Sequence, residues 1–161
     1  MIVIVMGVVG AGKTTVGSLL ARQLGWQFAD ADDYHSAENK EKIHRGIPLT
    51  DVDRDPWLRR LHQEIANWIA SGVNVVLACS ALKRKYREEL KVGPEVKFVY
   101  LKGDAALIDS RLRARKGHFA DDKILASQLA DLEEPGDAVT VAINRAPTQI
   151  VAAIRQQLGL A

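Results

Sequence analysis

Residues 7–14 read Gly7-Val8-Val9-Gly10-Ala11-Gly12-Lys13-Thr14 and satisfy the phosphate-loop pattern G-x-x-x-x-G-K-[ST] at every fixed position. Their setting constrains the fold more than the match itself. Ahead of the loop stands Ile2-Val3-Ile4-Val5-Met6, an apolar, β-branched run suited to a buried parallel strand. Behind it, residues 15–24 place Val16, Leu19, Leu20 and Leu24 on one helical face. Strand, glycine loop and helix occur in the order that phosphate binding needs: the loop's N–H groups can curl around phosphate oxygens at the positive end of the helix dipole. The pattern predicts that Gly7, Val8, Val9, Gly10, Ala11, Gly12, Lys13, Thr14 and Thr15 bind the phosphates of ATP. Lys13 would reach the β- and γ-phosphates, and the Thr14 hydroxyl would ligate Mg²⁺. A strand-to-helix turn with a chance lysine is the bland alternative, and the flanking elements argue against it.

The rest of the chain repeats this alternation. Strands are expected at 27–32, 73–78, 96–101 and 138–143. Helices are expected at 36–45, from the Asp55-Pro56 pair to 71, and at 82–91, 104–116, 121–132 and from Pro147 onward. Five strands alternating with helices predict an α/β, three-layer fold, a mostly parallel sheet with helices on both faces. Ligands of such sheets bind beyond the carboxyl ends of the strands. The 161 residues suit a single domain, with no repeat, linker or low-complexity tract. No apolar run approaches the ~18 residues of a membrane span, and the apolar N-terminus reads as a strand rather than a leader. A net charge of +2 gives little support to nucleic-acid binding. The lone Cys79 excludes an internal disulfide and suits a reducing cytoplasmic setting; it reads as a small strand-end residue rather than a nucleophile.

One absence narrows the chemistry. The strand Val75-Val76-Leu77-Ala78 ends in Cys79-Ser80, without the aspartate that often supports Mg²⁺ beside a phosphate loop. Asp30-Ala31-Asp32 is the candidate replacement, because alternate strand residues point the same way. Asp30 would hold a metal-bound water, and Asp32 would orient and deprotonate an acceptor hydroxyl. Spacing alone leaves open that the pair only solvates a loop and caps the next helix. Asn144-Arg145-Ala146-Pro147 lacks the guanine-reading N-K-x-D pattern, which favours a small-molecule kinase over a GTPase.

Longer motifs sharpen this. Asp30-Ala31-Asp32-Asp33-Tyr34-His35, Gly46-Ile47-Pro48-Leu49-Thr50-Asp51, Asp53-Arg54-Asp55-Pro56-Trp57-Leu58, Cys79-Ser80-Ala81-Leu82-Lys83-Arg84-Lys85-Tyr86-Arg87, Gly117-His118-Phe119 and Ser127-Gln128-Leu129 through Glu134-Pro135 follow one another in order. Together they resemble the gluconate kinases of the shikimate kinase-like group over nearly the whole chain. Val9 and Ala11 stand where that family often has serine, and Thr14 replaces the commoner serine. The resemblance implies ATP-dependent phosphorylation of D-gluconate to 6-phosphogluconate, with a homodimer as the assembly. It implies that Arg54 clamps the substrate carboxylate, with Asp53, His35 and His118 among the sugar-binding residues. A surface salt-bridge cluster is the competing reading for Arg54, and a helix-start histidine for His35. Of Lys83, Arg84 and Arg87, one is expected to face the substrate anion, and Arg87 is preferred. A lid over roughly 111–132 would bring Arg115, and Arg111 at i, i+4 from it, to the transferring phosphoryl group. Asn144 and Arg145 are expected near the adenine. Shikimate kinases, nucleoside monophosphate kinases and a non-catalytic ATP-binding module are the rival readings.

Overall fold

The computed structural model describes residues 1–114 and 119–160, with side chains left undescribed at 119–123. Strand β1 (Ile2–Met6) is followed by α1 (Lys13–Leu24), β2 (Gln27–Asp30), a 3₁₀ turn (Ala31–Tyr34), α2 (Ala37–His44) and α3 (Asp51–Ser71). Then come β3 (Val75–Ala78), α4 (Arg84–Leu90), β4 (Val96–Lys102), α5 (Ala105–Arg113), α6 (Phe119–Asp131), β5 (Val139–Ala142) and α7 (Pro147–Leu158).

The five strands form one sheet in the order β2-β3-β1-β4-β5, and every pairing is parallel. The phosphate-loop strand sits at its centre, which is why all five of its residues are fully buried. Its pleat divides the core. Val3 and Val5 join α1 and α7 on one face through Leu20, Val151 and Ile154. Ile2, Ile4 and Met6 join α3 on the other through Leu61, Ile65 and Trp68. This is the three-layer α/β arrangement expected from the alternation. Because the strands run parallel, the loops after β1, β2 and β3 emerge along one edge and meet.

The start of α3 departs from expectation. Asp55-Pro56 is not its N-terminus; the helix begins at Asp51, and Pro56 lies inside it. A capping box decides this: the Thr50 hydroxyl accepts from Asp53 N at 3.1 Å, and the Asp53 carboxylate accepts from Thr50 N at 3.0 Å. Pro56 removes the donor for Val52 O, and Val52 is exposed, so water can take its place. The shift of one turn moves Arg54 from an irregular segment onto a rigid helix. The carboxyl end of β2 is also shorter than expected, because Asp30 accepts from Asp32 N and turns the chain into the 3₁₀ segment.

Candidate active site

Gly10 and Gly12 explain the shape of the loop after β1. Both have left-handed backbone, with φ of 82° and 96°. A Cβ on Gly10 would stand 3.0 Å from the Leu112 side chain, so α5 packs against the loop only because that atom is missing. Gly12 is the N-cap of α1 and supplies no side-chain cap, so the positive end of the helix faces the loop without a capping side chain. The Lys13 ammonium donates to Val8 O at 3.1 Å and folds back over the loop.

A cavity of about 280 Å³ runs from this loop to the carboxyl ends of β2 and β3. At one end are Gly10, Gly12, Lys13, Thr14 and Thr15; at the other are Asp32, His35, Arg54 and Trp57, with residues 47–49 and α6 as side walls. Asp30 lies between, its carboxylate 3.4 Å from the Thr14 hydroxyl. Burial raises the Asp30 carboxyl above its ordinary value, against the lowering effect of its bond from Asp32 N. Burial raises Asp32 too, offset in part by the Lys13 charge. A carboxylate with raised affinity for protons facing a cavity is suited to accept one.

His35 is held by its neighbours. It stacks on Trp57 with ring centroids 4.4 Å apart, and the Trp57 indole donates to Ala31 O at 2.7 Å. Asn39 Nδ2 donates to Asp53 O at 2.7 Å, which fixes the amide and turns its N–H₂ toward His35 Nδ1 at 3.4 Å. The proton of the neutral ring therefore sits on Nε2. Burial first, then the charges of Arg54 and Lys40, lower its pKa to about 4, so at neutral pH His35 is an uncharged donor.

Arg54 meets the cavity from the first turns of α3. Its guanidinium donates to Tyr86 Oη at 2.9 Å and to Asp131 Oδ2 at 3.3 Å, at the end of α6. The Tyr86 hydroxyl in turn donates to Asp51, which also pairs with Lys83 and Lys85. These bonds, Lys85 first, hold the Asp51 carboxyl well below the usual carboxylate range.

Two expected substrate ligands stand elsewhere. Arg87 does not face the cavity: its buried guanidinium donates to Ala81 O, Leu82 O and Glu133 O, pinning the β3–α4 turn to the segment after α6. The Asp53 carboxylate is spent on the capping box and on Lys42 at 3.0 Å, and Asp53 serves the site only through its main-chain carbonyl. Neither Lys83 nor Arg84 lines the cavity; Lys83 pairs with Asp51 and Arg84 with Glu88. Arg111 donates to Ile143 O at 2.6 Å, tying α5 to the loop carrying the exposed Asn144 and Arg145, outside the cavity lining. Arg115 and His118 lie outside the described residues. Buried Cys79 is pushed to about 12, first by desolvation, and stays a thiol. Within the expected lid region, α6 lines the cavity with Ile124, Ser127 and Gln128. Its signal was a helical stripe, Ile124, Ser127, Gln128 and Asp131 at i, i+3, i+4 and i+7.

Known proteins resemble this chain over most of its length. Residues 9–158 match the shikimate kinase family. The chain is 50% identical over 151 residues to a probable gluconokinase of Xenopus tropicalis, covering 84% of this chain and 80% of that one. It is 42% identical over 156 residues to the thermoresistant gluconokinase of Escherichia coli strain K12, covering 94% and 89%. The crystal structure of a gluconokinase from Sinorhizobium meliloti 1021 superposes with a TM-score of 0.87 at 38% identity, covering 98% of this chain and 90% of that one.

Proposed function

This chain belongs to the gluconokinases of the shikimate kinase family, and on that premise we propose that it transfers the γ-phosphoryl group of ATP to the 6-hydroxyl of D-gluconate. One observation carries the reading: a single cavity holds a phosphate loop at one end and a carboxylate, a neutral histidine and an arginine at the other.

Each residue then has a task. Main-chain N–H groups of the loop and of the first turn of α1 cradle the triphosphate, with Val9 N–H spent on Gln128 and Ala11 N–H on Val8 O, and Lys13 leaves Val8 O to neutralise charge on the transferring group. Arg54 binds the gluconate carboxylate, with its fork oriented by Tyr86 and Asp131. His35 Nε2–H donates to a chain hydroxyl. Asp32 accepts the proton of the 6-hydroxyl as that oxygen bonds to the γ-phosphorus and the bond to the β-phosphate oxygen breaks. Products are 6-phosphogluconate and ADP. Because the transition state is loose, positioning and charge stabilisation contribute more than the base.

The donors near the loop fit Mg²⁺. A hydroxyl and a carboxylate 3.4 Å apart are hard oxygen ligands, and no cluster of three or more metal-binding side chains exists among the described residues. That suits an ion completed by phosphate oxygens and water rather than caged by protein. Thr14 would hold it directly and Asp30 through water, and it would neutralise charge on the β- and γ-phosphates. Arg111 and Arg115 are proposed to meet the phosphoryl group as the 111–132 segment closes, which would appear as hydrogen-exchange protection there on adding ATP and gluconate. Among the described residues no helix is long and apolar enough to cross a membrane.

The direct test is ADP release from Mg²⁺-ATP with D-gluconate, shikimate, AMP or no acceptor. Release specific to gluconate, with equal phosphogluconate, is expected. Release with shikimate instead would overturn the substrate, and ATP binding without any turnover would overturn the activity.

A further inference from the structure

The peptide joining Val8 to Val9 is held at both ends. Val8 O accepts from Lys13 Nζ at 3.1 Å, and Val9 N–H donates to Gln128 Oε1 at 2.6 Å. The peptide is trans, so its C=O and N–H point in opposite directions. Lys13 and Gln128 therefore hold this peptide from opposite sides, and both line the same cavity. Gln128 lies on the cavity stripe of α6, with Ser127 beside it and Asp131 one turn further, against Arg54.

The bond from Val9 also orients the Gln128 amide. A main-chain N–H can only donate, so the atom facing it must be the carbonyl oxygen, and the N–H₂ must occupy the other branch. Those two donors have no hydrogen-bond partner among the described residues, and the side chain lines the cavity. A half-buried amide locked by the main chain, with its donors unspent, is built to meet an acceptor.

We propose that Gln128 is a specificity-determining residue that donates from Nε2 to one hydroxyl of the sugar-acid chain, with the phosphate loop setting the direction of the donor. The inference rests on the gluconokinase reading and deepens it. Arg54 from α3, braced by Asp131 of α6, and Gln128 from α6 then hold the acceptor at two points, one for its carboxylate and one for a hydroxyl. A site arranged in this way rejects analogues that lack the hydroxyl it pairs with.

The test is a cycle between protein and substrate. The kcat/KM of wild-type protein and of Gln128→Met is measured with D-gluconate and with each of its 2-, 3-, 4- and 5-deoxy analogues. In the wild type, one analogue is expected to lose about tenfold or more. In Gln128→Met that one penalty should collapse toward unity while the others persist. Loss of the anchor to Val9 alone would lower every kcat/KM by a common factor and leave all penalties unchanged, which would overturn the proposal. Turnover of D-gluconate by the wild type separates the two readings. Its absence removes the substrate assignment and this role together, whereas its presence with unchanged penalties removes only the role of Gln128.

Discussion

At the phosphate end of the cavity the chain offers backbone; at the acceptor end it offers side chains. The loop from Gly7 to Thr14 is one contiguous stretch of main chain at a helix terminus, with Lys13 and Thr14 as its polar side chains lining the cavity. The acceptor end is gathered from the 3₁₀ turn, α2, α3 and α6, and each polar group is aimed by another residue: His35 by Asn39 and Trp57, Arg54 by Tyr86 and Asp131. Main-chain recognition tolerates sequence change, and side-chain recognition depends on the neighbours that fix each rotamer.

Substitutions can break this comparison. The largest effect is expected for Lys13→Ala, which should reduce kcat by about 10³-fold while leaving the melting temperature close to wild type. Asp32→Asn should lower kcat by about 10²-fold with ATP affinity nearly intact; normal turnover would remove Asp32 as the base. At Arg54, replacement by Met should raise KM for gluconate about thirtyfold and KM for ATP little, as measured by steady-state kinetics with each substrate varied. Arg87→Met sharpens the contrast from the opposite side. It strands three carbonyl groups and should cost about 2–3 kcal/mol in denaturant unfolding, while KM for gluconate stays unchanged.

A further effect is on pH. His35 has a folded pKa of about 4, below its ordinary value of 6.5, so the unfolded chain binds the proton more readily. Its neutral form is favoured by folding, and stability should fall as pH drops from about 6.5 toward 4, by at most about 1.4 kcal/mol per pH unit from this group. Unfolding curves of wild type and His35→Gln across that range would show whether His35 is responsible, since the variant should lose that part of the slope.

How much was legible in the sequence differed between the two ends for the same reason. The loop, its strand and its helix could be read because phosphate binding by backbone needs glycines, an apolar run and an amphipathic helix at fixed spacing. Asp32, His35 and Arg54 are candidates from their motifs, and all three line the cavity. Arg87 and Asp53 resemble substrate ligands in the sequence because charge type does not reveal orientation. A guanidinium over three carbonyls and one over a cavity look alike in a sequence. The start of α3 was misplaced because Asp55-Pro56 imitates a helix start, whereas the reciprocal bonds of Thr50 and Asp53 outweigh it.

By itself, then, the sequence determined the layered parallel sheet, the phosphate loop at its central strand and the family to which the chain belongs, all of which follow from local periodicity and contiguous motifs. Only the tertiary structure decided which cations face the cavity, which nitrogen of His35 carries the proton, and that α6 closes one wall with Gln128 bonded to the loop 119 residues before it. Those outcomes depend on partners far apart in the chain. Packing, rather than residue type, sets where each donor points.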